Sequence, residues 1–192
     1  MKTLFGVTFY EICVNMADVN RLPNAPVAAS AQFLRDAEIR RGIELLYFGY
    51  TNMVKAADIH LAAQGLGRAH HRALYFIARR PGMPIGDLLD LLNITKQSLS
   101  RVLGDLQTRD LVVQAVGTRD RRQRMLHLTP TGDALETALF DCLKGGVTRA
   151  YGHAGQAAVT GFWTVLAGLI PPTDRPLIEA LQQEAPGDAA TA

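Results

Sequence analysis

Cysteine is scarce in this 192-residue chain: Cys13 and Cys142 are the only two. They lie far apart, with neither zinc-type spacing nor the density of a disulfide-stapled secreted scaffold. Each is read as a small apolar filler or an inert thiol in a reducing compartment. A strong net charge is missing as well. The formal value of +2 is too small to imply nucleic acid or anionic lipid by itself, so any electrostatic reading rests on where the charges sit. No apolar run approaches the ~20 residues needed to span a bilayer, and no membrane partner is expected. The opening MKTLFGVTFYEICVNM is not read as a signal peptide, because Glu11, Asn15, Asp18 and Arg21 interrupt it before the small residues at 28–31. Met16 is a second candidate start, and the expected location is the cytoplasm.

Catalytic groupings are also absent. The sequence has no nucleophile–base grouping, phosphate-binding Gly loop or paired acid motif, so an enzyme is not expected. His70 and His71 are adjacent, which on a helix points them about 100° apart and rules out the i, i+4 clamp of a zinc site. A metal- or haem-responsive sensor using His60, His70 or His71 is carried only as an alternative, and no cofactor or metal site is assigned.

What is present is an ordinary globular composition, 48% hydrophobic and 20% charged, in a chain long enough for one full-sized domain with arms. The stretch RLPNAPVAAS, 21–30, reads as a linker or arm. From 31 to 64, Phe33, Ile43, Leu46, Tyr47, Tyr50, Met53, Val54, Ala57 and Leu61 recur at three- and four-residue steps, which predicts one long helix. Gly65 and Gly67 bracket its end. A second helix is expected over 68–80, burying Ala73, Leu74 and Ile77, with Pro81-Gly82 as its stop. Pro84 suits the first turn of a third helix, whose Ile85, Leu88, Leu89 and Leu92 form a buried stripe. Asn93 can take the left-handed conformation that ends it. Thr95 then caps a fourth helix over 96–108, its oxygen accepting from Gln97 or Ser98.

LVVQAVG and MLHLT flank an arginine-rich turn and predict a β-hairpin. Thr129-Pro130 opens another long helix, expected to run to about Lys144 and to kink or end at Gly145-Gly146. A further helix over 157–169 carries Val159, Phe162, Trp163, Leu166 and Leu169. Pro171-Pro172 breaks it before a short tail helix over 177–183.

The fourth helix has two faces. Leu99, Val102, Leu103 and Leu106 form its apolar stripe, and Gln97, Ser100, Arg101, Gly104 and Thr108 lie opposite. Short polar side chains at a helix N-terminus suit a phosphate and the floor of a major groove. The hairpin turn adds Arg119, Arg121, Arg122 and Arg124 against one acid, Asp120. From 96 to 124 the basic residues number seven and the acids three, a local +4, so the rest of the chain sums to −2. Phosphates and a narrow minor groove answer such a concentration.

Two short helices at a tight turn followed by a basic hairpin make a winged helix-turn-helix, and here the residues resemble the MarR family of bacterial transcriptional regulators. The resemblance covers about 68–132 and is most specific in DRRQRMLHLTPTG from Asp120, similar to the family's DxR wing signature leading into LTxxG. It implies a mainly α fold with a small β-hairpin wing and long dimerisation helices. The implied layout is an irregular arm at 1–30, a dimerisation helix at 31–66, the DNA-binding lobe at 67–132, and C-terminal dimerisation helices with a tail at 133–192.

The implied partner is double-stranded DNA, bound by a homodimer on a palindromic operator. The implied contacts are Thr95, Lys96, Gln97, Ser98, Ser100 and Arg101 on the recognition helix, with Arg119, Arg121, Arg122 and Arg124 on the wing. Asp120 and Arg122 match the wing's structuring pair, and Arg121 is the choice for the tip contact. A small-molecule effector is also implied, with Tyr47, Tyr50, Met53, His70 and Tyr75 as candidate cleft residues. A winged-helix module that binds protein or RNA is the competing reading, since a fold does not dictate its partner. The N-terminal arm and the tail helix beyond Pro171-Pro172 depart from the family pattern.

Overall fold

Apolar residues at helical spacing close one core in the computed structural model, which describes residues 32–117 and 122–183. The described elements are α1 (Asp36–Ala62), α2 (Arg68–Arg79), β1 (Met83–Pro84), α3 (Ile85–Leu92), α4 (Lys96–Thr108), β2 (Val112–Val116), β3 (Arg124–Leu128), α5 (Pro130–Ala154), α6 (Gln156–Gly168) and α7 (Arg175–Gln183). They fall into two compact units, 32–53 with 146–175 and 54–145 with 176–183. The architecture is mainly helical with a small antiparallel sheet, as expected. The arm at 1–30, with Cys13 and Met16, lies outside the described residues.

The unit over 54–145 holds the core. Ala57 and Leu61 from α1, Ala73, Leu74 and Ile77 from α2, Leu88 and Leu92 from α3, and Leu99, Val102, Leu103 and Leu106 from α4 are all buried in it. Asn93 ends α3 at φ 48, and two residues later Thr95 starts α4 by accepting the Ser98 N–H at 3.2 Å. Thr95 acts through its side-chain oxygen, and Asn93 through its tolerance of the left-handed region. The register β2:β3 runs from Val112↔Leu128 to Val116↔Arg124.

Three expectations need correction. The sheet has a third strand: Met83 and Pro84 pair with Leu126 and Met125 in the order β1-β3-β2, and a two-residue strand is too short to show a period. Gly145-Gly146 does not end α5, which continues to Ala154. Two glycines weaken a helix by about 1 kcal/mol each without forbidding it, whereas Gly155, at φ 78, leaves the helical region altogether. Helix α1 starts at Asp36 rather than at 31, after a turn over 32–34. Its apolar stripe is buried only at Val54, Ala57 and Leu61; Phe33, Ile43, Leu46, Tyr47 and Tyr50 are exposed. In the other unit Val159 is buried while Phe162 and Leu169 are exposed, and Trp163 Nε1 donates to the Tyr151 hydroxyl at 2.9 Å.

A tight junction joins the hairpin to α5. The Thr129 N–H donates to the Leu111 carbonyl at 3.1 Å, the Thr129 hydroxyl donates to the Asp110 carbonyl at 2.6 Å, and the Gly132 N–H donates to the Thr129 oxygen at 3.0 Å. A Cβ at position 132 would sit 1.9 Å from the Leu111 carbonyl oxygen. The Thr and Gly of the LTPTG run therefore cap a helix and let two backbones touch.

Among the charged groups, burial pushes the His71 imidazole below its ordinary value of 6.5, opposed by Asp58 and reinforced by Arg68. Burial, with Asp133 and Asp141, pushes the Glu136 carboxyl above 4.5, opposed by Arg79. The Arg68 guanidinium pairs with the Asp58 carboxylate.

Replacing Gly132 with Ala is expected to destabilise the protein by about 3 kcal/mol or more, because the added carbon meets backbone rather than a yielding side chain; the urea midpoint measures it. Because the folded state holds His71 neutral while the unfolded chain accepts the proton, His71 contributes stability that is complete above about pH 6.5 and lost as the pH falls. The thermal midpoint of wild type minus that of His71→Gln should therefore shrink on going from pH 8 to pH 5.5; a constant difference contradicts the assignment. Glu136 acts with the opposite sign, its contribution fading as pH rises from the carboxylate range, and it cancels in that difference.

Candidate nucleic-acid interface

Helix α4 presents the polar row anticipated from its sequence. Thr95, Lys96, Gln97, Ser98, Ser100 and Arg101 are all exposed, while Leu99, Val102, Leu103 and Leu106 on the opposite side are buried. The leucine row orients the helix, so the polar row is turned outward by packing and not by its own affinity for water. At the N-terminus the Thr95 hydroxyl also donates to Ser98 Oγ at 2.9 Å, which holds two short side chains beside the first turn. Backbone N–H groups there are left for an acceptor from outside. Among the described residues Arg101 has no hydrogen-bond or ion-pair partner, leaving its guanidinium ready to bond bidentately.

On the hairpin Arg122 and Arg124 are exposed. Arg119, Asp120 and Arg121, and with them the Asp120–Arg122 pairing and the tip contact, lie outside the described residues. The local surplus of +4 includes one cation that is bonded within the fold. Arg109, one of its seven cations, donates from Nη1 to the Gln64 carbonyl at 2.6 Å and serves the fold. Sequence reading missed this bond because a backbone carbonyl carries no signature of its own.

The five candidate cleft residues are placed as follows. Tyr47 and Tyr50 are exposed and Met53 is half-buried, all in the unit that contains 32–53. His70 and Tyr75 are half-buried in the other unit, where Tyr75 meets Phe76 edge-on at 5.4 Å. Both ring nitrogens of His70 are engaged: Nδ1 accepts the Gly67 N–H at 3.0 Å and Nε2 lies 3.2 Å from Asp105 Oδ2. A groove of about 450 Å³ is lined instead by Ile77, Ala78, Pro81, His127, Leu128, Thr129, Pro130 and Asp133. None of the five candidates borders it.

For the sensor alternative, His60 is exposed and His71 is buried. Among the described residues no group of three or more His, Cys, Asp or Glu could hold a metal ion. Among those residues, too, no helix is long and apolar enough to cross a membrane.

Comparison with known proteins places these features. A model of the MarR family matches residues 64–123, the stretch from the turn before α2 to the hairpin. The HTH-type transcriptional regulator PetP of Rhodobacter capsulatus is 42% identical over 151 residues, covering 79% of this chain and 91% of the relative. Among solved structures, a MarR family transcription regulator aligns with TM-score 0.61 at 18% identity, covering 81% of this chain and 100% of that one. Streptococcus pneumoniae FabT, solved in complex with DNA, aligns with TM-score 0.60 at 17% identity over 74% of this chain and 99% of that one. A mutant MarR from E. coli complexed with operator DNA gives 0.56 at 17% identity, over 70% and 96%.

Proposed function

We propose a function from one premise: the chain belongs to the MarR family of DNA-binding transcriptional regulators, a class of regulators rather than enzymes. In this reading it acts in the cytoplasm as a homodimer that recognises a two-fold symmetric operator. Helix α4 enters the major groove with Thr95, Lys96, Gln97, Ser98, Ser100 and Arg101, and the wing arginines Arg119, Arg121, Arg122 and Arg124 follow the adjacent backbone and minor groove. Asp120 fixes Arg122 and so shapes the wing.

The observation that carries this reading is the two-faced α4, whose buried leucine row turns Arg101 and its polar neighbours outward. Such a face is of little use to a purely protein-binding module, whose contact core is depleted of charge. The uncovered apolar side chains of α1 and α6 support a second copy as partner. Two recognition helices related by a two-fold axis then meet half-sites about 34 Å apart, one turn of DNA. The solved relatives bound to DNA support the same partner.

A small-molecule effector completes the proposal. It acts only by binding more tightly to the arrangement that cannot grip DNA, since a ligand with equal affinity for both arrangements shifts nothing.

The test is footprinting of bound genomic sites, followed by affinity as a function of salt on the recovered duplexes. Inverted half-sites one turn apart and a steep loss of affinity with salt are expected; salt-independent binding, or sites without two-fold repeats, contradicts the reading. On a recovered site Arg101→Ala should lose about 1–3 kcal/mol of discrimination, measured against a scrambled duplex. Arg124→Ala should weaken both duplexes alike and lower the salt slope by about 1.

A further inference from the structure

A turn and an imidazole hold α4 at its C-terminal end. Gly65, at φ 67, closes α1, with the Gly65 N–H on the Ala62 carbonyl at 3.0 Å and the Leu66 N–H on the Leu61 carbonyl at 2.9 Å. Two ties run from this turn to α4. Arg109 Nη1 donates to the Gln64 carbonyl at 2.6 Å. Three residues on, the Gly67 N–H donates to His70 Nδ1 at 3.0 Å. That bond makes Nδ1 the acceptor and leaves the ring proton on Nε2, which donates to Asp105 Oδ2 at 3.2 Å. The imidazole is mostly buried, with 14% of its side chain exposed against 62% for Asp105.

Asp105 and Arg109 are one helical turn apart, and Arg101 is one turn before Asp105, so the three lie along one face of α4. The C-terminal part of that face is bonded to the turn and to α2. Its N-terminal part carries Arg101, exposed and without a partner among the described residues.

We propose that His70 is a positioning residue for DNA reading: by joining the Gly67 backbone to Asp105, it fixes the rotation and slide of α4 and so aims Arg101. Leu99, Val102, Leu103 and Leu106 bury the opposite row, but apolar contact is non-directional. A hydrogen bond weakens steeply with angle and therefore selects one rotation among those that the leucines tolerate. Base-edge recognition needs such selection, because a bidentate pair is lost with small misalignment, whereas phosphate contacts tolerate it. The proposal rests on the DNA-reading function above.

The experiment uses the full-length protein with two probes: a duplex that wild type selects from a randomised pool, and a scrambled duplex of the same composition. Affinity for each and the thermal midpoint are measured for every variant. Asp105→Ala and His70→Asn should each lower the selected-to-scrambled affinity ratio, by about tenfold if the bond is worth what a hydrogen bond to a charged group usually is. His70→Asn keeps an acceptor for the Gly67 N–H but is too short for Asp105.

Asp105→Asn keeps the acceptor for the Nε2 proton and should recover most of the ratio. Loss of its negative charge strengthens binding to both duplexes alike, so charge alone leaves the ratio unmoved. The double variant His70→Asn with Asp105→Ala should be no worse than either single one, since both break one bond. The proposal is overturned if the single variants keep the wild-type ratio while the midpoint falls, if Asp105→Asn is as poor as Asp105→Ala, or if the two losses add. A wild type that shows no preference for any duplex overturns the DNA-reading function itself and this inference with it.

Discussion

The carbonyl of Leu111 is the point to which α4, the hairpin and α5 all refer. It accepts the Thr129 N–H, and Gly132 lies so close that no side-chain carbon fits between them. Asp110, at φ 54, reverses the chain just before it. The result is that α4 ends, β2 begins and α5 begins within one small volume. The ladder from Val112↔Leu128 outward then has a fixed base. Shifting that base by one residue would exchange the faces of the hairpin and carry the wing arginines with it. In the function proposed above, the placing of helix and hairpin on DNA thus depends on a backbone contact that touches no DNA.

The charge distribution reads differently once the bonds are known. Within the local +4 on helix and hairpin, Arg109 is placed by the fold, since it donates to the Gln64 carbonyl, a bond that leaves its charge intact. The cations left on α4 itself are Lys96 and Arg101, both exposed on its first two turns. If α4 reads bases as proposed, that reading falls to a short stretch of helix, and the hairpin supplies the remaining basic residues. This division agrees with the general partition of protein–DNA contacts into a few that specify and many that position.

Much of the lobe was legible in the sequence because local chemistry and tertiary packing agreed there. The leucine spacing in α4, the left-handed Asn93 and the Thr95 cap each have a one-residue physical cause, and each is found in place. Legibility failed where the cause lay elsewhere in the chain or outside it. Met83 forms a strand because Leu126 lies beside it. Gly145 and Gly146 stay helical because their penalty is modest and the real stop is Gly155. The roles of His70 and Arg109 depend on the Gly67 N–H and the Gln64 carbonyl, backbone groups whose position only the folded turn sets. Of the candidate site, the exposure of the α4 row was readable from its leucine spacing, whereas the five cleft residues rested on the family resemblance, and aromatics at helical spacing suit any buried face equally.

The apolar character of α1 adds an energetic constraint. Leu45, Leu46, Tyr47, Phe48 and Tyr50 are exposed almost in succession, so the helix is apolar around much of its circumference, a pattern found where a helix is covered on more than one side. Burying each such side chain stabilises by about 1.5–3 kcal/mol, and association costs about 4–15 kcal/mol before any gain appears. Five or six of these side chains from each of two copies are enough to offset that cost, whereas the same surface left in water favours aggregation. If the second copy is the partner, folding stability and DNA affinity both become functions of protein concentration. The same α1 that offers the apolar face ends in the turn whose Gln64 carbonyl accepts from Arg109 at the C-terminal end of α4.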